Sequence, residues 1–238
     1  MIYKDKKNMK TTVSLIENYI QVLSNYFELY SCIVDMREIG RLYRAKDESL
    51  FSILSDAELE FLKELKSPKN RLQWIAGRYA VKSAFFKYKL ERQSLLDLRC
   101  VDILRGADSA PYLLQYPHVN ISITHSFPYC IGVVCEKKVG IDIEKIFQPE
   151  DSLIRYFYSN KEQELLMDFK DHNEYSIKSV VYWTRKEAVS KLLGLGMKMN
   201  FKELDTTSDE LYLNSLYSGP IKLSSFICND FCVSLAVG

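Results

Sequence analysis

Tyr129-Cys130-Ile131-Gly132-Val133-Val134 and, late in the chain, Phe231-Cys232-Val233-Ser234-Leu235-Ala236 are two versions of one segment: an aromatic residue, a cysteine, then an apolar run with a small residue at the same place. Short apolar runs of this kind read as buried strands. Three further blocks recur in the same order. Val34-Asp35-Met36-Arg37-Glu38-Ile39 is answered by Ile141-Asp142-Ile143-Glu144-Lys145-Ile146. Leu54-Ser55-Asp56-Ala57-Glu58-Leu59 is answered by Tyr158-Ser159-Asn160-Lys161-Glu162-Gln163, and both set a serine three positions before a glutamate, a helix start. Trp74 precedes Lys82 by the interval at which Trp183 precedes Lys191. Each block alone is weak, but four in order make a degenerate tandem repeat.

The repeat predicts a first lobe over 31–136 and a second over 138–238. Each runs strand, helix, long helix, paired strands. Residues 1–30 stand outside as an added helix with Leu15, Tyr19, Val22, Leu23 and Tyr26 on one face. The fold class is α+β: two similar pseudo-repeat lobes, each a long helix packed on an antiparallel sheet. Asn229-Asp230 reads as a two-residue hairpin turn. Residues 119–146 read as an antiparallel run of strands that turns at Glu136-Lys137-Lys138.

Composition narrows the class of function. Of 238 residues, 47% are hydrophobic and 26% charged, which is ordinary for a globule. Lys plus Arg total 32 against 31 Asp plus Glu, a net charge of +1 that does not suggest a nucleic-acid or membrane-surface partner. No apolar run approaches the ~18 residues of a membrane span, and no apolar core follows the charged N-terminus as in a secretory signal. The six cysteines form no C-x-x-C and there are three histidines, so a zinc cluster is not expected. The expectation is a cytoplasmic monomer with reduced thiols, Cys130 and Cys232 packing as small hydrophobes.

The chemistry concentrates in two segments. In Gly140-Ile141-Asp142-Ile143-Glu144, strand alternation puts Asp142 and Glu144 on one face and the isoleucines on the other. Two carboxylates so placed repel unless a cation lies between them, and a hard divalent ion takes oxygen ligands. A solvated strand face is the alternative for this segment by itself. On the long helix, expected to start after Asp171-His172-Asn173-Glu174 and to end near Gly194 or Gly196, Trp183, Glu187 and Lys191 lie four apart on one stripe. Val180 and Ala188 flank that stripe, so it is expected to face inward. A surface Glu187–Lys191 pair is the plainer alternative. By the same alignment Arg37 and Arg78 stand where the second lobe has Glu144 and Glu187, so an acidic site would exist only once. Residues 63–92 carry six Lys and three Arg against two Glu. Most read as a solvated basic face, but Arg71, Arg78 and Lys82 could also grip phosphates. His125, at the end of an alternating strand beside Thr124 and Ser126, is structural or a phosphate donor.

Gly140-Ile141-Asp142-Ile143-Glu144 together with Trp183-Thr184-Arg185-Lys186-Glu187-Ala188-Val189-Ser190-Lys191 resembles the signature pair of the 4′-phosphopantetheinyl transferases of the surfactin-synthetase-activating type. Thr124-His125-Ser126 and Gly77-Arg78-x-x-x-Lys82 are also similar to family segments, and the likeness spans about 31–238. The resemblance implies transfer of the phosphopantetheine arm of coenzyme A to a serine of an apo acyl or peptidyl carrier protein, with adenosine 3′,5′-bisphosphate leaving. It implies Mg²⁺ held by Asp142, Glu144 and Glu187, phosphate charge met by Lys191 and Lys186, and Glu187 or a metal-bound water assisting removal of the serine proton. Thr124 and His125 would meet the coenzyme's phosphates, His125 the 3′-phosphate, and Pro111 would lie near the adenine.

The sequence departs from the family pattern in the first lobe. Ser109-Ala110-Pro111 lacks the lysine of the family's Gly-Lys-Pro, and two family lysines align with Glu58 and Phe61. Lys63, Lys66, Arg71 or Arg78 is expected to substitute. Another Mg²⁺-dependent phosphohydrolase and a non-catalytic coenzyme-A-binding module are the competing readings.

Overall fold

The computed structural model describes residues 3–94, 97–106, 110–170, 174–213 and 215–238, with side chains from Thr12 onward. The chain divides into two compact units: a first unit of 17–137, and a second of 138–238 with the N-terminal residues through Ile16. Helix α1 (Tyr3–Phe27) begins in one and ends in the other. Its buried stripe is Thr12, Ile16 and Ile20, while Leu15, Val22 and Tyr26 are exposed. Of the five residues expected on one face, Tyr19 and Leu23 are half-buried and the other three exposed. On the buried side of α1, Asn229 Nδ2 donates to Thr12 Oγ1 at 2.6 Å.

In the first unit β1 (Tyr30–Asp35) leads to α2 (Met36–Ala45), α3 (Glu48–Phe51), α4 (Asp56–Glu64) and the long α5 (Pro68–Glu91). Then come β2 (Ile103–Arg105), β3 (Pro111–Leu113), β4 (Asn120–Ser126) and β5 (Tyr129–Cys135). The strands form an antiparallel sheet ordered β1-β5-β4 and a β2-β3 ribbon. Helix α5 lies on that sheet. Trp74, Ile75 and Ala76 join Val34 and Cys130 in one cluster; Val81, Ala84 and Phe85 join Ile121 and Val134 in another.

The second unit repeats the plan. Strand β6 (Val139–Lys145) precedes α6 (Asp151–Phe157), α7 (Asn160–Met167) and the long α8 (Glu174–Leu193), followed by β7 (Glu210–Tyr212), β8 (Pro220–Cys228) and β9 (Phe231–Val237). The sheet order is β6-β9-β8-β7, antiparallel throughout. The fold is thus α+β, with long helices on antiparallel sheets. Asn229, at φ 50, makes the tight β8–β9 turn, and Gly194, at φ 71, ends α8 as expected. The capping sequence Asp171-His172-Asn173 lies outside the described residues. One expectation needs correcting: Glu136-Lys137-Lys138 is not a hairpin turn, because β6 pairs with β9 and not with β5. Among the described residues no helix is long and apolar enough to cross a membrane.

The ladders also correct two of the four repeat blocks. Superimposing the hairpins, Ser126 opposite Tyr129 on Cys228 opposite Phe231, makes β5 equivalent to β9 as the sequence suggests. On β1 and β6, however, Tyr30 faces Val134 where Gly140 faces Ala236. The counterpart of Asp142 is therefore Cys32, and that of Glu144 is Val34, not Arg37. On the long helices Lys82 matches Lys186, Lys87 matches Lys191, and Ser83, not Arg78, matches Glu187. Three observations agree. Lys87 Nζ donates to the Ser31 carbonyl at 2.8 Å as Lys191 Nζ donates to Ile141 at 3.2 Å. The Ser55–Glu58 and Ser159–Glu162 capping boxes both form. Each capping glutamate also receives a fully buried lysine of the long helix, Lys82 at 2.5 Å and Lys186 at 2.7 Å. The two tryptophans are not at equivalent positions, and each serves a local need: Trp74 lies under the Arg78 guanidinium, and Trp183 packs against Phe157 and Phe201.

Gly140 decides how closely α8 meets β6. A Cβ there would lie 1.9 Å from Ala188 O and 2.6 Å from Leu192 N, both main-chain atoms. At the equivalent place the first unit has Tyr30, edge-on to Tyr88 at 5.5 Å. Gly140→Ala is expected to destabilise the protein by about 1–3 kcal/mol or more, since backbone cannot yield as a side-chain tip does; chemical denaturation of the two proteins measures this.

Candidate active site

Because residues 140, 142 and 144 share a face and Gly140 touches α8, Asp142 and Glu144 point to the α8 side of β6. Asp142 is buried and Glu144 half-buried. From α8, Glu187 and Lys191 come to the same place. Lys191 Nζ donates to Asp142 Oδ1 at 2.6 Å and to the Ile141 carbonyl at 3.2 Å. Glu187 senses the same group: burial, then the charge of Asp142, holds its carboxyl above the usual carboxylate range, with Lys191 opposing.

This donor set suits a hard divalent cation. It is all oxygen, it concentrates negative charge in a half-buried place, and it already draws one cation, the Lys191 ammonium. Among the described residues no three His, Cys, Asp or Glu side chains are gathered into a group that would hold a metal ion. Asp142, Glu187 and Lys191 are brought together; Glu144 shares the strand face of Asp142, without the three carboxylates forming one group.

Lys186, expected at a phosphate, lies elsewhere. It is fully buried, and its ammonium meets Glu162 Oε2 at 2.7 Å, the Phe201 carbonyl at 2.7 Å and the Leu204 carbonyl. Glu162, which sequence reasoning took only for a cap, was the missed partner. The signal was present: Glu58 precedes Lys82 by the interval at which Glu162 precedes Lys186.

The remaining candidates belong to the first unit. Arg78 is buried, donates to the Ile103 carbonyl at 3.0 Å, lies 3.5 Å from Glu58, and is pushed down to about 10 by burial. Arg78 and Lys82 are thus engaged internally and do not present their charges as a phosphate grip. Arg71 donates to the Leu65 carbonyl and borders a cavity of about 880 Å³ that also exposes Lys46 and Lys63. Thr124 is buried and His125 exposed at the end of β4, and Pro111 opens β3. Ser109 lies outside the described residues. All six cysteines are free thiols; Cys130 and Cys232 are fully buried, and burial pushes Cys232 up to about 11.

The raised Glu187 carboxyl fixes the sign of a stability test. Ionising it costs more in the folded protein than in the unfolded chain. The penalty is absent below the unfolded value, near 4.5, and complete above the folded one. Glu187→Gln is therefore expected to raise the Tm at about pH 8 without divalent cation, and to leave it unchanged at about pH 4; paired thermal melts at the two pH values check this.

A family model described as the 4′-phosphopantetheinyl transferase superfamily matches residues 138–236. A holo-[acyl-carrier-protein] synthase of Onion yellows phytoplasma (strain OY-M) is 30% identical over 44% of this chain and 92% of its own. The 4′-phosphopantetheinyl transferase psf-1 of Bacillus pumilus is 26% identical over 58% of this chain and 59% of its own. Among solved structures, a holo-(acyl-carrier-protein) synthase from Bacillus anthracis in complex with CoA (3′,5′-ADP) overlays 44% of this chain and 91% of its own, at 22% identity and TM-score 0.37. With that coverage and identity to the phytoplasma protein, and with the superfamily model spanning the unit that carries Asp142, Glu187 and Lys191, the chain belongs to the 4′-phosphopantetheinyl transferase superfamily.

Proposed function

We propose that the protein transfers the 4′-phosphopantetheine arm of coenzyme A to a serine of an apo acyl or peptidyl carrier protein, as an enzyme of the surfactin-synthetase-activating type acting as a monomer. The observation that carries this reading is the meeting of Asp142, Glu187 and Lys191 across β6 and α8, within the segment matched by the superfamily model. The type assignment is supported by the two-unit repeat and by the likeness to the Bacillus pumilus enzyme.

In the proposed reaction the serine hydroxyl oxygen attacks the phosphorus that bears the pantetheine arm. A new P–O bond forms, the P–O bond to the nucleotide breaks, and adenosine 3′,5′-bisphosphate leaves. Glu187 takes the serine proton, a task suited to a carboxyl whose proton affinity is already raised. Lys191 keeps Asp142 in place and faces its charge to the pyrophosphate. Asp142, Glu187 and Glu144 would hold Mg²⁺, which supplies positive charge to the phosphate oxygens when bound. In the first unit, Thr124 and His125 at the end of β4, Arg71 and Pro111 are assigned to the coenzyme, His125 to its 3′-phosphate.

Intact-mass analysis of a panel of apo carriers after incubation with coenzyme A and Mg²⁺ tests the reading. The expected result is the mass gain of one phosphopantetheine on at least one carrier. Asp142→Ala should lower kcat/KM by at least about 100-fold. Free phosphopantetheine beside unmodified carrier would indicate hydrolysis instead, and coenzyme binding without turnover a binding module.

Lys63, Lys66 and Lys69 stand exposed at the junction of α4 and α5. An acidic carrier surface would meet them there. Reversing the charge of Lys66 and Lys69 should raise the KM for carrier several-fold and leave that for coenzyme A unchanged; steady-state kinetics with each substrate varied separately decides it.

A further inference from the structure

The two units perform an experiment on each other. In the second, Glu162 Oε2 accepts from the Ser159 N–H at 2.8 Å and from Lys186 Nζ at 2.7 Å, while Oε1 accepts from the Thr206 N–H at 2.9 Å. In the first, Glu58 Oε2 accepts from the Ser55 N–H at 3.1 Å and from Lys82 Nζ at 2.5 Å, while Oε1 accepts from the Ile103 N–H at 3.3 Å. The two arrangements share these contacts and differ only beside Oε1, where Glu162 also accepts from Thr206 Oγ1 at 2.6 Å and Glu58 has Arg78 Nε at 3.5 Å. Both lysines are wholly buried, and both fill their remaining valences with main-chain carbonyls: Phe201 and Leu204 for Lys186, Ile53 and Leu98 for Lys82.

The acidic site is not repeated in this way. Its equivalents in the first unit are Cys32 for Asp142, Val34 for Glu144 and Ser83 for Glu187; of the four only the lysine survives, as Lys87. Cys32 still lies against Ser83 and Lys87, so the place is kept while its acids are gone. The unit without acids retains the whole Glu–Lys clasp. A group retained where there is no acidic site to serve answers to the fold, not to a phosphate.

We infer that Lys186, although it stands inside the signature segment, touches neither coenzyme nor metal and is a positioning residue. With Glu162 it clamps α8 to the start of α7 and to the 201–206 segment. That clamp sets the rotation of α8 about its axis. Because Glu187 is the next residue and Lys191 the turn beyond, it fixes how both are aimed at Asp142. The inference rests on the proposed transferase reading for its kinetic consequence but not for its structural one.

The test is a double-mutant cycle on the full chain: Lys186→Met, Glu162→Gln, and both together, with Lys82→Met and Glu58→Gln as the matching cycle in the first unit. Each protein is measured by chemical denaturation and by kinetics at saturating carrier. Lys186→Met leaves a buried carboxylate unpaired. It is expected to lower stability and to reduce kcat by about tenfold or more, with the KM for coenzyme A within about twofold of the parent. The double variant removes both charges and is expected to regain most of the stability and to bring kcat back to within about threefold. The first-unit cycle should show a coupling of the same sign. Should Lys186 contact a coenzyme phosphate, the KM for coenzyme A would rise in the single and double variants alike, with no rescue, and the inference falls. If Lys186→Met does not fold, the double variant decides by itself through its KM and kcat. If the parent transfers nothing, the transferase reading fails, and the denaturation cycle still decides whether Glu162 and Lys186 are coupled.

Discussion

The close approach of α8 to β6 governs the second unit, and it depends on a missing side chain. With only hydrogen at Gly140, the main chain of α8 settles against the strand at Ala188 and Leu192. Lys191 and Asp142 then meet at 2.6 Å, and Glu187 comes near enough for its ionisation to feel Asp142. Charges this near are costly to bury unless compensated. The site therefore consists of two carboxylates made tolerable by one ammonium, an arrangement that has use for further positive charge.

A second pair of charges, Glu162 with Lys186, carries out a different task a single residue away from Glu187. It is buried, held on both sides by hydrogen bonds, and present twice in the chain. Breaking one partner of such a pair costs about 3–5 kcal/mol, because the other charge is left without water or counter-ion. The two pairs show why residue type cannot assign a role. Lys186 and Lys191 are five apart on one helix, yet the first is enclosed by carbonyls and the second reaches a carboxylate that has a half-exposed neighbour.

Much of this was legible in the residues. The capping boxes, the hairpin at Asn229-Asp230 and the β5/β9 match depend on local chemistry, and local chemistry is written in adjacent positions. The face shared by Asp142 and Glu144 followed from strand alternation, and the stripe of Glu187 and Lys191 from helical period. What was not legible depends on distance. The three-residue offset between β1 and β6 is set by pairing with strands far along the chain, which aligning Asp35 on Asp142 could not reveal. The inward turn of Thr12 on α1 is met by Asn229, more than two hundred positions away. The basic character of 63–92 suggested a grip on phosphate, but Arg78 and Lys82 turn inward because Glu58, itself recruited by a cap, is there to receive them.

Cys32, Val34 and Ser83 form a natural deletion of the acidic cluster inside an intact scaffold. A thiol, a methyl-bearing side chain and a hydroxyl occupy these positions, and the helix still lies on its sheet, the ladder still closes and the buried clasp persists. The scaffold therefore has no need of the acids for its own assembly. What they cost in mutual repulsion is borne in one unit only, and the architecture is free to carry unlike chemistry in its two halves.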